Sequence, residues 1–371
     1  MKTKDISNKE LLSVVLPTYN ESKNVKKLID QLLKINTFFE VELIFIDDNS
    51  SDGTGKIIRD YARLDRRIRL INRIDRSGLS SAIKEGCLCA MGEVIIIMDT
   101  DGQHQVENIT SAINIIQKGR YDLVTGSRFL DNSVLKGLSN QRTYGSKIAN
   151  NLARLSFYGF YSHLTDYMTG FITLRRSSCI NFIENIDVNG FKFLYELLSL
   201  SNGILKVKEI PLLFEKREYG KSKLDQSIIW DFFISLIHGF LKRIIPRRSI
   251  SFALVGITGI FVQMIFIYFL LWSTDLSFEQ ALPFGVVLAA SSNYTINNFL
   301  TFRTNKLKGK SFYSGLLKFL LVSSLPIIAN VGVTNIFYNQ FSTNSLLSQL
   351  AGIFIVFIWN YAASSKIVWN F

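Results

Sequence analysis

Residues 94–104 read VIIIMDTDGQH, an unbroken apolar run that ends abruptly in carboxylates at Asp99 and Asp101. A short apolar run bounded by polar residues is typical of a strand buried on both faces of a parallel sheet. In such sheets ligands bind beyond the carboxyl ends of the strands. We therefore expect residues 94–98 to be a central strand and the two aspartates to lie at the ligand-binding edge.

Outward from this strand, short apolar runs alternate with amphipathic helical patterns. The sequence predicts strands at residues 12–16, 41–46 and 69–72 and helices at residues 22–34, 54–64 and 80–91. This alternation indicates an α/β fold, a mostly parallel sheet with helices on both faces.

The first two predicted strands also end in polar motifs, PTYNE at residues 17–21 and DDNSSDGT at residues 47–54. Asp52 alone would suit a helix N-cap, but three acidic strand ends in order indicate a site. Clustered carboxylates repel one another, and a divalent cation that also binds a diphosphate would hold them together. His104 is either a further ligand of that cation or a buried, hydrogen-bonded histidine.

Composition changes sharply near Pro246, after which long apolar stretches are nearly free of acidic residues. A chain of 371 residues with this change predicts a soluble domain followed by a membrane domain. The net charge of +12 suits lipid headgroups and phosphate substrates rather than nucleic acid, because basic residues crowd the junction. The cysteines are too few for a disulfide framework or a zinc site. The polar N-terminus lacks a signal core, so the soluble half should be cytoplasmic.

Four apolar segments of near ~20 residues predict four membrane spans, at residues 250–272, 281–300, 316–338 and 346–369. The loop at residues 301–317 carries four basic residues, whereas residues 273–280 and 338–345 carry no Lys or Arg. Positive loops stay on the cytoplasmic side. We therefore expect an integral membrane protein with both termini and the catalytic domain in the cytoplasm.

Apolar residues recur at three- and four-residue steps across residues 227–241, which predicts an amphipathic helix. It could pack wholly on the soluble domain, but its place before a basic turn and a span favours the membrane surface. The predicted domains are residues 1–226 for catalysis, 227–248 for the interface helix and basic linker, and 249–371 for the membrane.

The three strand-end motifs together resemble those of inverting family-two glycosyltransferases with a GT-A fold. The resemblance covers residues 12 to about 223 and is greatest to the dolichol- or polyprenol-phosphate mannosyltransferases. The membrane half resembles a GtrA-type domain through NYTINN at residues 293–298 and TF at residues 301–302. Asn298 departs from that pattern, which usually has arginine at this position.

The resemblance also implies roles for individual residues. The nucleoside would be held by Pro17, Tyr19, Glu21 and Asp48. The donor diphosphate and a Mg²⁺ or Mn²⁺ ion would be held by Asp99, Asp101 and Gln103. The acceptor phosphate would face Arg128, Arg142 and Ser146, and a basic loop closing over the donor would include Arg217 and Lys223. Residues 166–171 resemble the acceptor-lining segment. Gly78 to Ala82 and Gly86 either admit the donor sugar or serve tight helix packing.

The implied reaction is transfer of mannose from GDP-mannose to a polyprenyl or dolichyl phosphate, with Asp101, Arg128 and Arg142 as catalytic residues. A phosphomonoester has a second pKa of about 6 and arrives mainly as the dianion, so no dedicated base is needed. The alternatives are a UDP-glucose or other nucleotide-sugar transferase and, outside enzymes, a lipid-linked sugar translocase or a scaffold.

Overall fold

The computed structural model describes residues 10–35, 39–74, 78–105, 107–131, 133–135, 140–157, 159–188, 192–214, 226–241, 243–324 and 345–370. The chain divides into two compact units, Met1–Phe240 and Leu241–Phe371. Each unit is described by itself below.

The first unit is an α/β unit, as predicted. Its strands are β1 (Leu11–Thr18), β2 (Glu40–Asp47), β3 (Ile68–Asn72), β4 (Val94–Ile97), β5 (Leu123–Ser127), β6 (Val134–Leu135), β7 (Ile172–Arg175), β8 (Val207–Pro211) and β9 (Leu213–Phe214). Its helices are α1 (Val25–Leu32), α2 (Thr54–Leu64), α3 (Leu79–Cys89), α4 (Glu107–Gln117), α5 (Asn140–Leu155), α6 (Arg176–Glu184), α7 (Phe193–Ser201) and α8 (Gln226–Phe240).

Seven strands form one sheet in the order β3-β2-β1-β4-β7-β5-β8, and β6 pairs with β9 in a small second sheet. Alternate residues of β4 enter different cores: Ile95 and Ile97 pack in one cluster, while Val94 and Ile96 pack in the other. Because successive side chains of a strand point to opposite faces, a strand covered on both faces needs apolar residues at every position. This explains the unbroken apolar run.

Strand β7 is antiparallel to both of its neighbours, β4 and β5. Ile172 at its start pairs with Ile97 at the end of β4. The segment that enters β7, residues 166–171, therefore arrives at the same sheet edge as Asp99. A mostly parallel sheet was predicted, but the sequence pattern did not identify this reversed strand.

The apolar surface of helix α8 is only partly buried. Phe232 and Leu236 belong to the core of the first unit, whereas Ile229, Phe233 and Phe240 are exposed. The latter three share one side of the helix by their spacing. The predicted helix is confirmed, and it packs on the soluble unit with only part of its apolar surface.

The second unit contains α9 (Arg247–Ser273), α10 (Phe278–Phe299), a 3₁₀ turn (Arg303–Asn305), α11 over residues 310–324, α12 (Ser345–Ala363) and a π-helical turn (Ser364–Val368). Within the described ranges, α9 is the one helix both long and apolar enough to cross a membrane. The first, second and fourth predicted spans coincide with α9, α10 and α12. The third lies largely in residues 325–344, outside the described ranges, so the four-span topology stays a prediction.

Asn298, the position that departs from the GtrA-like pattern, joins two segments of the second unit. Its Nδ2 donates to the Leu307 carbonyl at 3.1 Å, and its Oδ1 accepts from the Leu307 amide at 2.9 Å. The same oxygen accepts from the Trp369 indole at 3.0 Å. Trp369 in turn stacks on Phe302, with ring centroids 4.1 Å apart. Asn298 therefore has a structural role in this chain, because its hydrogen bonds join the end of α10 to Leu307 and to Trp369.

Candidate active site

The three polar strand ends meet at one edge of the sheet. Strands β2, β1 and β4 are adjacent and mutually parallel, so their carboxyl ends point the same way. The Asp48 amide donates to the Thr18 carbonyl at 2.9 Å, and the Thr100 hydroxyl donates to the Pro17 carbonyl at 3.2 Å. The convergence expected from the sequence is present in the structure.

The loops after β1 and β2 are joined by reciprocal hydrogen bonds. Asn20, whose φ of 54° is in the left-handed region, donates its amide to Ser50 Oγ at 2.8 Å. Its Oδ1 accepts from the Ser51 amide at 2.9 Å. The Glu21 amide donates to Thr54 Oγ1 at 2.9 Å. These bonds fix the segment that carries Tyr19 and Glu21, and both of these residues are half-buried.

Asp52 connects the same two loops. Its Oδ1 accepts from the Thr54 amide at 3.1 Å, as expected at a helix start, and its Oδ2 accepts from the Ser22 amide at 3.0 Å. Burial acts to raise the pKa of this carboxyl, but the hydrogen bonds from Thr54 and Ser22 outweigh it and lower the pKa. Asp52 is therefore a structural link between the loops, and the N-cap of α2 is not Asp52 but the next residue, Gly53.

Asp48 is buried and bound by a partner that the sequence analysis did not single out. Its Oδ1 lies 3.1 Å from Arg73 Nη1, and its Oδ2 accepts from the Gly78 amide at 3.0 Å. Arg73 also reaches Glu85 at 3.3 Å. The signal that was available is position: Arg73 directly follows β3, as the other site residues follow their strands.

The glycines of α3 and its start have different roles. Gly78 has a φ of +91°, and no other group lies near the position of a Cβ there. A Cβ at Gly86 would overlap Val15 and crowd Ile46 of the sheet. Gly86 therefore serves close packing of helix on sheet, the structural alternative left open by the sequence.

Asp99 and Asp101 follow β4 and have different surroundings. The Asp99 side chain is 36% exposed, whereas Asp101 is buried and accepts from the Gln103 amide at 3.1 Å. A Cβ at Gly170 would overlap the Asp99 carboxylate, so glycine is needed where residues 166–171 pass this group. His104 is buried, with Nε2 3.8 Å from Asp99 Oδ2 and its ring tilted against Phe171.

Arg128, after β5, is paired with Asp166. Its Nε and Nη2 donate to the two carboxylate oxygens at 2.7 and 3.0 Å. The Arg128 side chain is 14% exposed and that of Asp166 is 0% exposed. Burial acts to lower the pKa of the guanidinium, but Asp166 and, more weakly, Asp99 raise it. The group stays cationic, and two of its donors are already satisfied within the protein.

Asp166 also connects this arginine to α5. Asn150 Nδ2 approaches Asp166 Oδ1 at 3.4 Å and donates to the Ser146 carbonyl at 3.0 Å. Arg142, Ser146 and Asn150 recur every four residues and therefore lie along one side of α5. The helix that carries two of the predicted acceptor residues is thus joined to the third, Arg128.

Glu209 on β8 binds the backbone of the segment that carries Asp166. Its carboxylate accepts from the Thr165 amide at 2.8 Å and from the Asp166 amide at 2.9 Å. Burial raises the pKa of Glu209, although these backbone hydrogen bonds oppose the shift. The backbone of the Asp166 segment is therefore fixed independently of its side chain.

Lys192, just before α7, is a cation that the sequence analysis missed. Burial of its ammonium lowers its pKa, and it interacts electrostatically with Asp99, Arg128 and Asp166. Its position at a helix start, far along the chain from the strand-end motifs, gave no sequence signal. The site therefore brings carboxylates, the Arg128 cation and the buried amino group of Lys192 together around Asp99.

Several predicted site residues cannot be placed. Arg217 and Lys223 lie outside the described ranges, and Arg142 is described only as a backbone position in the first turn of α5. Their roles remain predictions.

Two family models match separate parts of the chain. Residues 13–182 match "Glycosyl transferase family 2", and residues 251–369 match "GtrA/DPMS, transmembrane domain". A relative from Pyrococcus furiosus named "Dolichol-phosphate mannosyltransferase" is 28% identical over 360 residues, covering 96% of this chain and 99% of the relative. A relative of the same name from Mycosarcoma maydis is 27% identical over 270 residues, covering 70% and 87%.

Solved structures give weaker similarity. Glucosyl-3-phosphoglycerate synthase from Mycobacterium tuberculosis has a TM-score of 0.45 and 16% identity, covering 62% of this chain and 80% of that chain. Mannosyl-3-phosphoglycerate synthase from Rubrobacter xylanophilus has a TM-score of 0.45 and 14% identity, covering 63% and 74%. The two family matches therefore carry the assignment: residues 13–182 are a family 2 glycosyltransferase domain, residues 251–369 are a GtrA/DPMS transmembrane domain, and the chain is a membrane protein.

Proposed function

We propose that this enzyme transfers mannose from GDP-mannose to a polyprenyl phosphate such as dolichyl phosphate, with inversion at the anomeric carbon. The observation that carries the proposal is the arrangement of charge at Asp99. Two carboxylates there suit a diphosphate with its counter-ion, while Arg128 and Lys192, both within electrostatic range of Asp99, suit a second phosphate. The similarity to relatives named for dolichol-phosphate mannose transfer supports this choice of substrates.

The residues after β4 fit a divalent cation in their chemistry. Asp99, Asp101 and Gln103 offer the hard oxygen ligands that Mg²⁺ and Mn²⁺ prefer. Within the described ranges, no three His, Cys, Asp or Glu residues are grouped to hold an ion. Mg²⁺ is commonly bound by one or two carboxylates together with substrate phosphates, so the donor would complete the ligand set. When bound, the ion would offset charge on the departing nucleoside diphosphate.

The donor would be bound at the edge formed by β1 and β2. We assign the nucleoside to Pro17, Tyr19, Glu21 and Asp48, and the closing loop over the diphosphate to Arg217 and Lys223. Arg73 acts here by holding Asp48 in place through the 3.1 Å ion pair. The loop-to-loop hydrogen bonds of Asn20 and Asp52 give this half of the site a fixed backbone.

The acceptor phosphate would be bound by Arg128, Arg142 and Ser146. Since Nε and Nη2 of Arg128 bind Asp166, Arg128 would contribute its charge and Nη1 rather than a two-pronged fork. We then assign to Arg142 the two parallel hydrogen bonds that one guanidinium can donate to a phosphate. Lys192 lies within electrostatic range of Asp99, and in its protonated form it would lower the repulsion between two anionic substrates.

The reaction would be a single in-line displacement. A dianionic phosphate oxygen forms a bond to the anomeric carbon while the bond from that carbon to the diphosphate oxygen breaks, and GDP leaves with the electron pair. No proton has to be removed, because the acceptor is already ionised at neutral pH. The side chains contribute alignment and charge screening.

The lipid acceptor explains the membrane domain. We propose four spans with both termini and the catalytic unit in the cytoplasm, where the basic residues near 303–310 favour the inner face. The exposed face of α8, formed by Ile229, Phe233 and Phe240, would lie on the membrane surface. This seating would bring the phosphate of a membrane-embedded lipid to the site.

The test is a transfer assay with the full chain in proteoliposomes, a panel of labelled nucleotide sugars and short polyprenyl phosphates. We expect GDP-mannose and polyprenyl phosphate to give polyprenyl phosphomannose. Transfer from UDP-glucose with none from GDP-mannose would refute the donor assignment. Movement of lipid-linked sugar across the bilayer without transfer from any donor would favour a translocase.

A second assay separates the two phosphate sites. Arg142→Ala should lose transfer yet keep the slow hydrolysis of the donor by water, because hydrolysis needs no lipid. Arg217→Ala should lose both activities. Charged hydrogen bonds to phosphate contribute ~1.5–3 kcal/mol each, so each variant should lose roughly ten- to a hundredfold in the corresponding kcat/KM. If Arg217→Ala kept donor hydrolysis and Arg142→Ala lost it, Arg142 would belong to the donor site and Arg217 to the acceptor site.

A further inference from the structure

A cleft of about 440 Å³ lies in the first unit, away from the active site. Arg120, Tyr121, Phe160, Tyr161, His163 and Lys206 are among its lining residues. It adjoins the amino ends of β5 and β8, whereas Arg128 follows the carboxyl end of β5. Because β5 has five residues at roughly 3.3 Å each, the strand keeps the cleft about 16 Å from Arg128. The cleft is therefore a separate feature.

The cleft is positively charged. Arg120 and Lys206 are exposed cations, His163 adds an imidazole, and the lining contains no Asp or Glu. No ion pair of Arg120 or Lys206 occurs in the part of the chain that the structure describes. The nearby Asp122 is not a lining residue; its carboxylate accepts from the Lys206 amide at 2.9 Å and from the Ser178 hydroxyl, so it offsets only part of the positive charge beside the cleft. A cleft with this charge suits a phosphate.

Exposed apolar side chains stand beside these cations. Phe160 is 48% exposed and Ile204, between two lining residues, is 70% exposed. The Phe160 ring packs on Gly203, where a Cβ would overlap it. Tyr161, with a φ of 56°, is held by its hydroxyl to Ser201 at 2.8 Å. The backbone at Tyr161 is thus fixed, and it presents the neighbouring Phe160 ring at the surface. Exposed aromatic rings of this kind insert into the headgroup region of a bilayer.

The cleft also adjoins the point where the chain leaves this unit. A Cβ at Gly239 would lie 3.5 Å from Ser156 Cβ and would crowd the Tyr195 hydroxyl. Gly159 and Phe160 of the cleft are three and four positions after Ser156 in the sequence. The end of α8 therefore lies near the cleft within the first unit.

We propose that this cleft binds the phosphate headgroup of an anionic membrane phospholipid that is distinct from the polyprenyl substrate. Arg120 and Lys206 hold the phosphate, and Phe160 and Ile204 enter the boundary between headgroups and acyl chains. A charged contact at this end of β5, together with the exposed face of α8, would hold the catalytic unit at a defined tilt on the membrane.

The test uses the full chain in nanodiscs of phosphatidylcholine with and without phosphatidylglycerol. Amide hydrogen exchange of residues 159–163 and 204–207 should slow when phosphatidylglycerol is present. Arg120→Gln/Lys206→Gln should weaken retention of this lipid, measured by native mass spectrometry, roughly tenfold or more. The control, Arg59→Gln/Arg66→Gln, removes the same charge from exposed positions on and after α2 and should retain the lipid. Equal thermal unfolding midpoints for the wild type and the two double variants would exclude misfolding as the cause of a difference in lipid retention.

Two results would overturn the proposal. Equal retention of phosphatidylglycerol by the wild type and the Arg120/Lys206 variant would remove the cleft as the binding site. Equal protection of the cleft by soluble glycerol phosphate in phosphatidylcholine nanodiscs would show a site for a free phosphate ester. Neither result bears on the transfer assay, so failure here is distinguishable from failure of the proposed function.

Discussion

Replacing Asp166 with asparagine would remove the counter-ion of Arg128 while nearly preserving side-chain shape. The carboxylate accepts from Nε and Nη2 of Arg128 and from the Met168 amide at 3.1 Å. An asparagine keeps one acceptor oxygen, but its NH₂ group faces a donor of the guanidinium. Leaving one member of a buried ion pair unpaired costs about 3–5 kcal/mol. Because the Arg128 side chain is 14% exposed, we expect the lower end of that range.

Amide hydrogen exchange at Met168 measures this cost without global unfolding. A loss of about 3 kcal/mol corresponds to exchange on the order of 100-fold faster. Asp65→Asn is the matched control, because Asp65 also accepts from the amide two residues later, Arg67, at 2.9 Å and pairs with its side chain at 2.7 Å. That arginine side chain is 51% exposed, so the cost there should stay below about 1 kcal/mol.

The double variant Arg128→Gln/Asp166→Asn isolates the charge. It should exchange more slowly at Met168 than Asp166→Asn alone, because no unpaired cation remains. Our interpretation fails if Asp166→Asn accelerates amide hydrogen exchange at Met168 by no more than Asp65→Asn accelerates it at Arg67.

Three further predictions concern the carboxylates proposed to bind the metal, the membrane topology and the junction of the loops after β1 and β2. Asp101→Ala should lower kcat/KM for transfer by roughly 100-fold or more without lowering the thermal midpoint, since repulsion with its neighbour is relieved. A cysteine at Thr343 should react with an impermeant reagent added outside the cell, whereas one at Lys308 should not. The lowered pKa of Asp52 contributes stability above about pH 3.8, which is lost as pH falls through the folded pKa. Protection of the Ser22 amide should fall there, and Asp52→Asn should show low protection with no such step.

Each of these could fail in a distinct way. Near-normal turnover of Asp101→Ala would refute the metal assignment. Labelling at position 308 and not at 343 would reverse the orientation. A protection step that persists in Asp52→Asn would assign the titration to another carboxyl.

The strand ends could be predicted because their signal is local. The run before Asp99 is apolar at every position since the sheet has a core on both faces, and a carboxylate after such a run can only lie at the strand end. The polar motifs that contain Asn20 and Asp52 could be recognised at their strand ends for the same reason. What sequence could not supply was the hydrogen bond from Ser22 to Asp52, since it depends on the parallel pairing of β1 and β2.

The acceptor side depends on contacts between distant residues. Arg128 and Asp166 are 38 positions apart, and β7 enters the sheet in the reverse direction between β4 and β5. No periodic pattern in the local sequence indicates the pairing of Arg128 with Asp166 or the direction of β7. The sequence therefore singled out Arg128 as a cation, but it did not indicate that Nε and Nη2 bind Asp166. Lys192 and Arg73 were missed because an isolated basic residue has no pattern of its own.

The Trp369 cluster has a consequence for biogenesis. Trp369 packs in one core with Phe252 and Phe302, and Asn298 holds its indole in place. Phe252 precedes Trp369 by more than about a hundred residues of chain, so this core cannot close while the intervening segments are still being synthesised and inserted. The earlier helices of the membrane unit must therefore wait in the bilayer with this aromatic surface unfilled. During that interval they are the natural target for an insertion chaperone or for quality-control proteolysis.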